Sequence, residues 1–165
     1  MNDCEKFKVK HRPIIFIHGA GQTGTAAGHS THYAFFVNSG YSNAELYATS
    51  YPDVFKLRQF VIAVFEYTRS PVDVIAASMG VVVGRKAILG DRCLETNEML
   101  GAAITSLVAN FIAIDGVGFG AHNCKQIIEG VGWNNDYFCD PLVGIRPDSK
   151  LMHQNGKTMG IQGGI

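Results

Sequence analysis

Between Val72 and Leu89 the chain reads VDVIAASMGVVVGRKAIL, and no other stretch constrains the fold as strongly. VDVIA is a short run of apolar and β-branched residues, which predicts a strand buried on both faces. Met79 to Leu89 has helical spacing and stops at Gly90, as a helix ended by glycine does. Only Ala77 and Ser78 separate the two. A strand turned so sharply into a helix belongs to an alternating β–α chain, whose strands line up as a parallel sheet.

The rest of the chain repeats that alternation. Arg12-Pro13 leads into PIIFIHGAG, an apolar β-branched run ended by glycines, which predicts the first strand. A loop of small residues follows, then a helix around Tyr33 to Asn38 closed by Ser39-Gly40. ELYATSY, Glu45 to Tyr51, predicts a second strand, and Pro52-Asp53 its exit. Phe55, Phe60, Val61, Val64 and Phe65 fall near helical spacing, so Phe55 to Thr68 is expected to be an amphipathic helix before the Ser70-Pro71 break. Asp91 to Gly101 is expected to be loop, and Ala109 to Ile114 a fourth strand ended by Asp115-Gly116. From Gly118 onward glycine, asparagine, aspartate and proline replace the periodicity. The expected fold is therefore α/β, a mostly parallel sheet with helices on both faces, incomplete on its C-terminal side. The expected organisation is a single domain over residues 1–165, with a polar tail at 1–12 and a loop-rich segment at 117–165.

Composition narrows the function. With 14 basic and 14 acidic residues the formal net charge is zero, so there is no electrostatic footprint for nucleic acid or an anionic membrane. No apolar run is long enough to span a bilayer. MNDCEKFKVKHRP has no apolar signal core, so the sequence taken literally is cytosolic. Cys4, Cys93, Cys124 and Cys139 lack CxxC spacing, which argues against zinc or a thioredoxin-type centre. They read as buried thiols or as a disulfide such as Cys124–Cys139. No metal or other cofactor is expected.

The turn in AASMG fits one chemistry well. A nucleophile elbow holds its serine in a strained turn at the carboxyl edge of a sheet, and needs small residues two positions to either side. Ala76 and Gly80 supply them. The following helix aims its N-terminal amides at the serine, so the Met79 N–H is an expected oxyanion donor. Alone, the pattern equally describes an ordinary βα turn with an N-capping serine. His18-Gly19-Ala20-Gly21 tips the balance, because a second oxyanion donor is required from the loop after an earlier strand. The Ala20 N–H is the natural choice, Gly19 and Gly21 allow close backbone approach, and His18 is expected to orient the loop. GAGQTG also fits the spacing of a dinucleotide loop. It lacks the Lys-Ser/Thr of a P-loop, and the required acid would fall on Glu45, at the wrong end of its strand.

PIIFIHGAG, ELYATSY, VDVIAASMGVVVGRKAILG, CLETNEMLG and FIAIDGVGFGAHNC occur in an order that resembles the class 2 triacylglycerol lipases (the lipase EstA/esterase EstB family), particularly their nematode lipase-like branch, over roughly residues 12 to 155. The resemblance implies an α/β-hydrolase fold, hydrolysis of lipid or other carboxylic esters, and no cofactor. It implies Ser78 as nucleophile, Ala20 and Met79 as oxyanion donors, secretion, and a disulfide at Cys124 and Cys139. Ala77 departs from the family, which has histidine before the serine, and Asp115 stands where the family has alanine or serine. The family's acid and histidine lie on loops after later strands, and the sequence ends ten residues past Asn155. Neither is carried over, and a truncated member of low activity is expected.

A serine needs a base. Of the six histidines, His11 precedes the first strand, His29 and His32 follow HGAG as loop or lid residues, and His153 has no assignment. Ser78, His122 and Asp115 would form an improvised set. The simpler account makes Asp115 a turn cap and His122 a surface residue, and it is favoured. The rival function is a lipid-binding pseudoenzyme that keeps the pocket without the triad.

Overall fold

The computed structural model describes residues 9–24, 27–51, 53–117, 119–130 and 138–157; residues 27–30, 127, 128, 130, 156 and 157 are described by their backbone alone. Strands β1 (Ile14–Ile17), β2 (Leu46–Ala48), β3 (Val72–Ala77) and β6 (Val108–Ile114) form a parallel sheet in the order β2-β1-β3-β6. Helices α1 (Ala27–Asn38), α2 (Val54–Thr68) and α3 (Met79–Leu89) are the crossovers between them. This is the α/β architecture read from the alternation.

Successive strand residues point to opposite faces. Ile15, Ile17, Val74 and Ala76 turn to one side and pack against Leu57, Val61 and Val64 of α2 and Val81, Ala87 and Ile88 of α3. Ile14, Phe16 and Ile75 turn to the other, where Phe36 of α1 and Tyr41 cover them. Burial on both sides is why IIFI carries no polar residue. Each such aliphatic side chain contributes about 1.5–3 kcal/mol on leaving water. The α2 N-cap is Asp53, whose Oδ1 accepts from the Lys56 N–H at 2.7 Å. Buried Arg58 ties α2 to the end of α3 by donating to the Ala87 carbonyl at 2.8 Å and to the Ala102 carbonyl.

At the amino edge of the sheet Glu45 is 2% exposed. Burial pushes its carboxyl up, but donors from the His11 and Ser42 backbones, the Ser42 hydroxyl and the His11 ring outweigh that and lower it to about 2. The unfolded carboxyl titrates near 4.5. Because the folded value is the lower one, this stabilisation is complete above pH 4.5 and disappears as pH falls towards 2. Glu45→Gln should therefore cost about 2 kcal/mol near neutral pH. The gap in melting temperature from the natural chain, followed by circular dichroism, should narrow between pH 5 and pH 3. A gap of constant size would refute the clamp.

Three expectations change. The segment Asp91 to Gly101 is not loop throughout, because β4 (Asp91–Arg92) and β5 (Met99–Gly101) pair there as an antiparallel hairpin. Strands of two and three residues are too short to show a period. Beyond Gly118 the chain is not all irregular: α4 (Cys124–Gly130) and α5 (Lys150–Lys157) are helical. The second strand is shorter than Glu45 to Tyr51, since Asn43–Glu45 is a 3-10 turn and pairing with β1 ends at Ala48. Among the described residues β6 has a strand partner on one side only, and Ile112 is 49% exposed. No described helix is long and apolar enough to cross a membrane.

Candidate active site

Ser78 ends β3 and begins α3, with φ 51° and ψ −124°. A residue with a side chain avoids this region, and holding one there costs about 1–3 kcal/mol. The surroundings enforce it. The Ser78 N–H donates to the Ile114 carbonyl of β6 at 3.0 Å, and the Ser78 carbonyl accepts from Val81 N–H at 3.1 Å. Ser78 is exposed, and its hydroxyl makes no capping hydrogen bond to the helix it precedes. Capping therefore does not explain why a serine stands here.

Helix α3 lies so close to β1 that a Cβ on Gly80 would sit 2.5 Å from the His18 carbonyl oxygen and 2.8 Å from that of Ile17. That contact brings the start of α3 beside the HGAG loop. A Cβ on Gly19 would meet the Ser78 Cβ at 3.1 Å, so the loop passes directly against the serine. Gly21 has φ 69°, which suits glycine at the bend. The His18 ring, 6% exposed, lies with Nδ1 2.8 Å from the Gly19 carbonyl oxygen and stacks on Tyr51 with centroids 4.4 Å apart. Nδ1 must carry the proton in that contact, which leaves Nε2 buried and without a partner among the described residues. Neither the Ala20 N–H nor the Met79 N–H donates to an acceptor among the described residues. Among the described residues the amides of Ala20 in the loop and Met79 at the helix start thus have no acceptor, and Ser78 lies beside that loop with its side chain exposed.

Beside them opens a cavity of about 340 Å³. Gly19, Ala20, Gly21 and Met79 form one wall, and it descends along α3 past Val82 and Val83 to Lys86. Tyr51, Val54, Phe138, Val143, Ile145 and Leu151 also line it. Ser78 is not in its lining, but Met79, the next residue, and Gly19, which packs against the Ser78 Cβ, are. Burial lowers the Lys86 pKa, and its ammonium donates to the Gly90 carbonyl at 2.9 Å. Most of the lining is apolar, which suits a hydrocarbon chain. Among the described residues no group of histidine, cysteine and carboxylate side chains has metal-binding geometry.

The family profile described as Lipase (class 2) matches residues 11–159. The chain belongs to that lipase family. No curated protein matches it by sequence. Its fold is similar to that of the Bacillus licheniformis lipase BlEst2 in mature form, with a TM-score of 0.61 at 14% identity over 94% of this chain and 65% of that one. Phospholipase PlaB from Legionella pneumophila is similar too, with a TM-score of 0.52 at 14% identity, over 88% of this chain and 35% of that one. The class 2 lipase chain described here thus spans less than two thirds of either structure's length.

Among the described residues no other histidine or acid of this lipase-family chain is hydrogen-bonded to the Ser78 hydroxyl. Asp115, exposed and with φ 48°, follows β6 at the same sheet edge. His122 is exposed and lines a separate polar recess with Arg146 and Asp148. No hydrogen bond joins Ser78, Asp115 and His122 among the described residues. His11 contacts Glu45 at the amino edge, and His32 lies within helix α1, which begins at Ala27 rather than near Tyr33, so it is not the loop residue expected and does not line the cavity. His153 is exposed in α5. The side chain of His29 lies outside the described residues. Cys124 and Cys139 are joined by a disulfide, Cys93 is a buried free thiol, and Cys4 lies outside the described residues. Sequence reasoning overlooked Tyr51, whose phenol donates to the His18 carbonyl at 2.6 Å. The one signal for it was the distinctive segment ELYATSY.

Proposed function

We propose that this chain carries the nucleophile and oxyanion site of a serine hydrolase for lipid esters. The observation that carries the reading is the strained backbone of Ser78, positive in φ at a residue that is not glycine and whose hydroxyl does not bond to the helix it precedes. In the proposed reaction Ser78 Oγ attacks the ester carbonyl carbon and gives its proton to a base. The carbonyl oxygen becomes an oxyanion held by the Ala20 and Met79 N–H groups. Collapse of that intermediate expels the alcohol, which takes up the proton, and leaves an acyl group on Ser78. Water then attacks the acyl carbon and releases the acid. The neighbouring cavity would hold the acyl chain. The Cys124–Cys139 disulfide supports an oxidising compartment, in keeping with secretion and the nematode-like resemblance.

The base is the step on which a second reading turns. No described histidine contacts Ser78, which favours a lipid-binding protein without turnover. A fluorophosphonate probe separates the two, because it labels only an activated hydroxyl. Labelling and slow hydrolysis of p-nitrophenyl butyrate, in keeping with the low activity expected from the sequence, should be seen in the natural chain and lost in Ser78→Ala. Ser78→Gly should lose them as well, yet gain about 1 kcal/mol in urea unfolding, since glycine accepts this φ without strain. Rates equal to background in every form would leave the lipid-binding reading. A Ser78→Gly chain less stable than the natural one would contradict the strained elbow.

A further inference from the structure

The motif ELYATSY is absorbed by none of the chemistry above, although its last residues touch the oxyanion loop at both ends. Tyr51 donates from its phenol to the His18 carbonyl at 2.6 Å, at the loop's start. Ser50 accepts at Oγ from the Gly24 N–H at 3.0 Å, at the loop's end. A Cβ on Gly24 would lie 2.4 Å from the Thr49 carbonyl carbon, so the two backbones are in direct contact there. Between these points the loop closes on itself, with the Gly19 N–H donating to Gln22 Oε1 at 3.1 Å.

We infer that Tyr51 and Ser50 are positioning residues, a strap that sets the direction in which the Ala20 N–H points. The inference rests on the hydrolase reading for its catalytic consequence. Its geometry follows from the peptide itself. The Gly19 carbonyl and the Ala20 N–H belong to one planar unit, and in a trans peptide they point in opposite directions. His18 holds that carbonyl through Nδ1 at 2.8 Å, the shorter of its two hydrogen bonds beside the 3.4 Å one from the Gln22 N–H, so the orientation of the imidazole helps to set the direction of the amide. Tyr51 fixes the imidazole twice, by stacking on its ring and by binding the carbonyl of the same residue. Among the described residues the ring's Nε2 has no hydrogen-bond partner, and Tyr51 is the group stacked on the ring. Burial raises the Tyr51 pKa, which keeps the phenol a donor throughout the neutral range.

The test uses the full chain, isotopically labelled, and the variants Tyr51→Phe, Ser50→Ala and their combination. Tyr51→Phe keeps the stacked ring and removes the phenol. Tyr47→Phe is the control, since Tyr47 makes the same kind of bond, to the Ala44 carbonyl at 2.6 Å, away from the loop. Tyr51→Phe is expected to shift the Ala20 amide resonance and speed its hydrogen exchange. It should lower kcat for p-nitrophenyl butyrate by about 10- to 100-fold, the scale set by a misplaced or lost oxyanion donor, with KM within about twofold. Tyr47→Phe should change neither. An Ala20 resonance and a kcat unmoved in both Tyr51→Phe and the double variant would overturn the inference, as would a rise in KM alone. A natural chain without Ser78-dependent turnover would sink the hydrolase reading. The strap would then stand or fall on the Ala20 amide, and Ser50→Ala serves if Tyr51→Phe does not fold.

Discussion

Replacing Gly80 by alanine should destabilise the chain by about 3 kcal/mol and abolish labelling of Ser78 at the same time. Alanine is the better helix former by about 1 kcal/mol, so helix propensity alone predicts the opposite sign. The steric term decides. The new methyl would stand 2.5 Å from the His18 carbonyl oxygen and 2.8 Å from that of Ile17, both backbone atoms at the end of β1. β1 is the strand between β2 and β3 and cannot retreat, so α3 must move outward. That movement carries the Met79 N–H away from Ala20 and separates the two donors. Gly84→Ala, one turn further on, makes a sharper comparison than any distant control. Its methyl would meet the terminal carbon of Ile17 at 2.9 Å, a side-chain end that can rotate aside. Urea unfolding should rank Gly84→Ala well above Gly80→Ala, and equal midpoints would show that the approach of α3 to β1 is not as tight as described.

Reducing the Cys124–Cys139 disulfide should remove about 3 kcal/mol, the loop entropy of a link closed over a sequence separation of 15. The loss should be felt unevenly. Cys139 anchors the stretch from Phe138 to Ile145, whose side chains line the cavity. Cys124 and Cys139 pack in a cluster apart from the two that cover the sheet. Limited proteolysis of the reduced chain should therefore cut first between residues 138 and 150, while far-ultraviolet circular dichroism keeps its strand and helix content. Cys139→Ser should behave in the same way without reductant. Uniform cleavage along the chain, or a reduced form as stable as the oxidised one, would show that the disulfide does not secure this wall.

Where the sequence was legible, burial made it so. IIFI and VDVIAA are buried on both sides, and that leaves apolar runs that no loop would carry. Met79 to Leu89 showed its helix because Val81, Val82, Ala87 and Ile88 must face the core together. The hairpin at Asp91–Arg92 and Met99–Gly101 had no such pressure, being largely exposed. Helix α5 was hidden because KLMHQNGK buries Met152 together with a polar residue, Asn155, whose amide donates to the Val82 carbonyl at 3.2 Å. At the site, Ser78 and HGAG could be read because small residues were demanded at defined distances along the chain. Tyr51 could not. Its bond to His18 spans 33 residues and depends on two strand ends lying side by side, which no local spacing encodes.

The flank of the sheet formed by Val108–Ile114 has a further consequence. VANFIAI contains no charge and no proline, and among the described residues its outer amides and carbonyls face no neighbouring strand. Proteins usually guard such a margin with lysine, a kink or a covering element. An open row of peptide groups of this kind can accept a further strand, so whatever next lies along Val108–Ile114 would extend the ladder there.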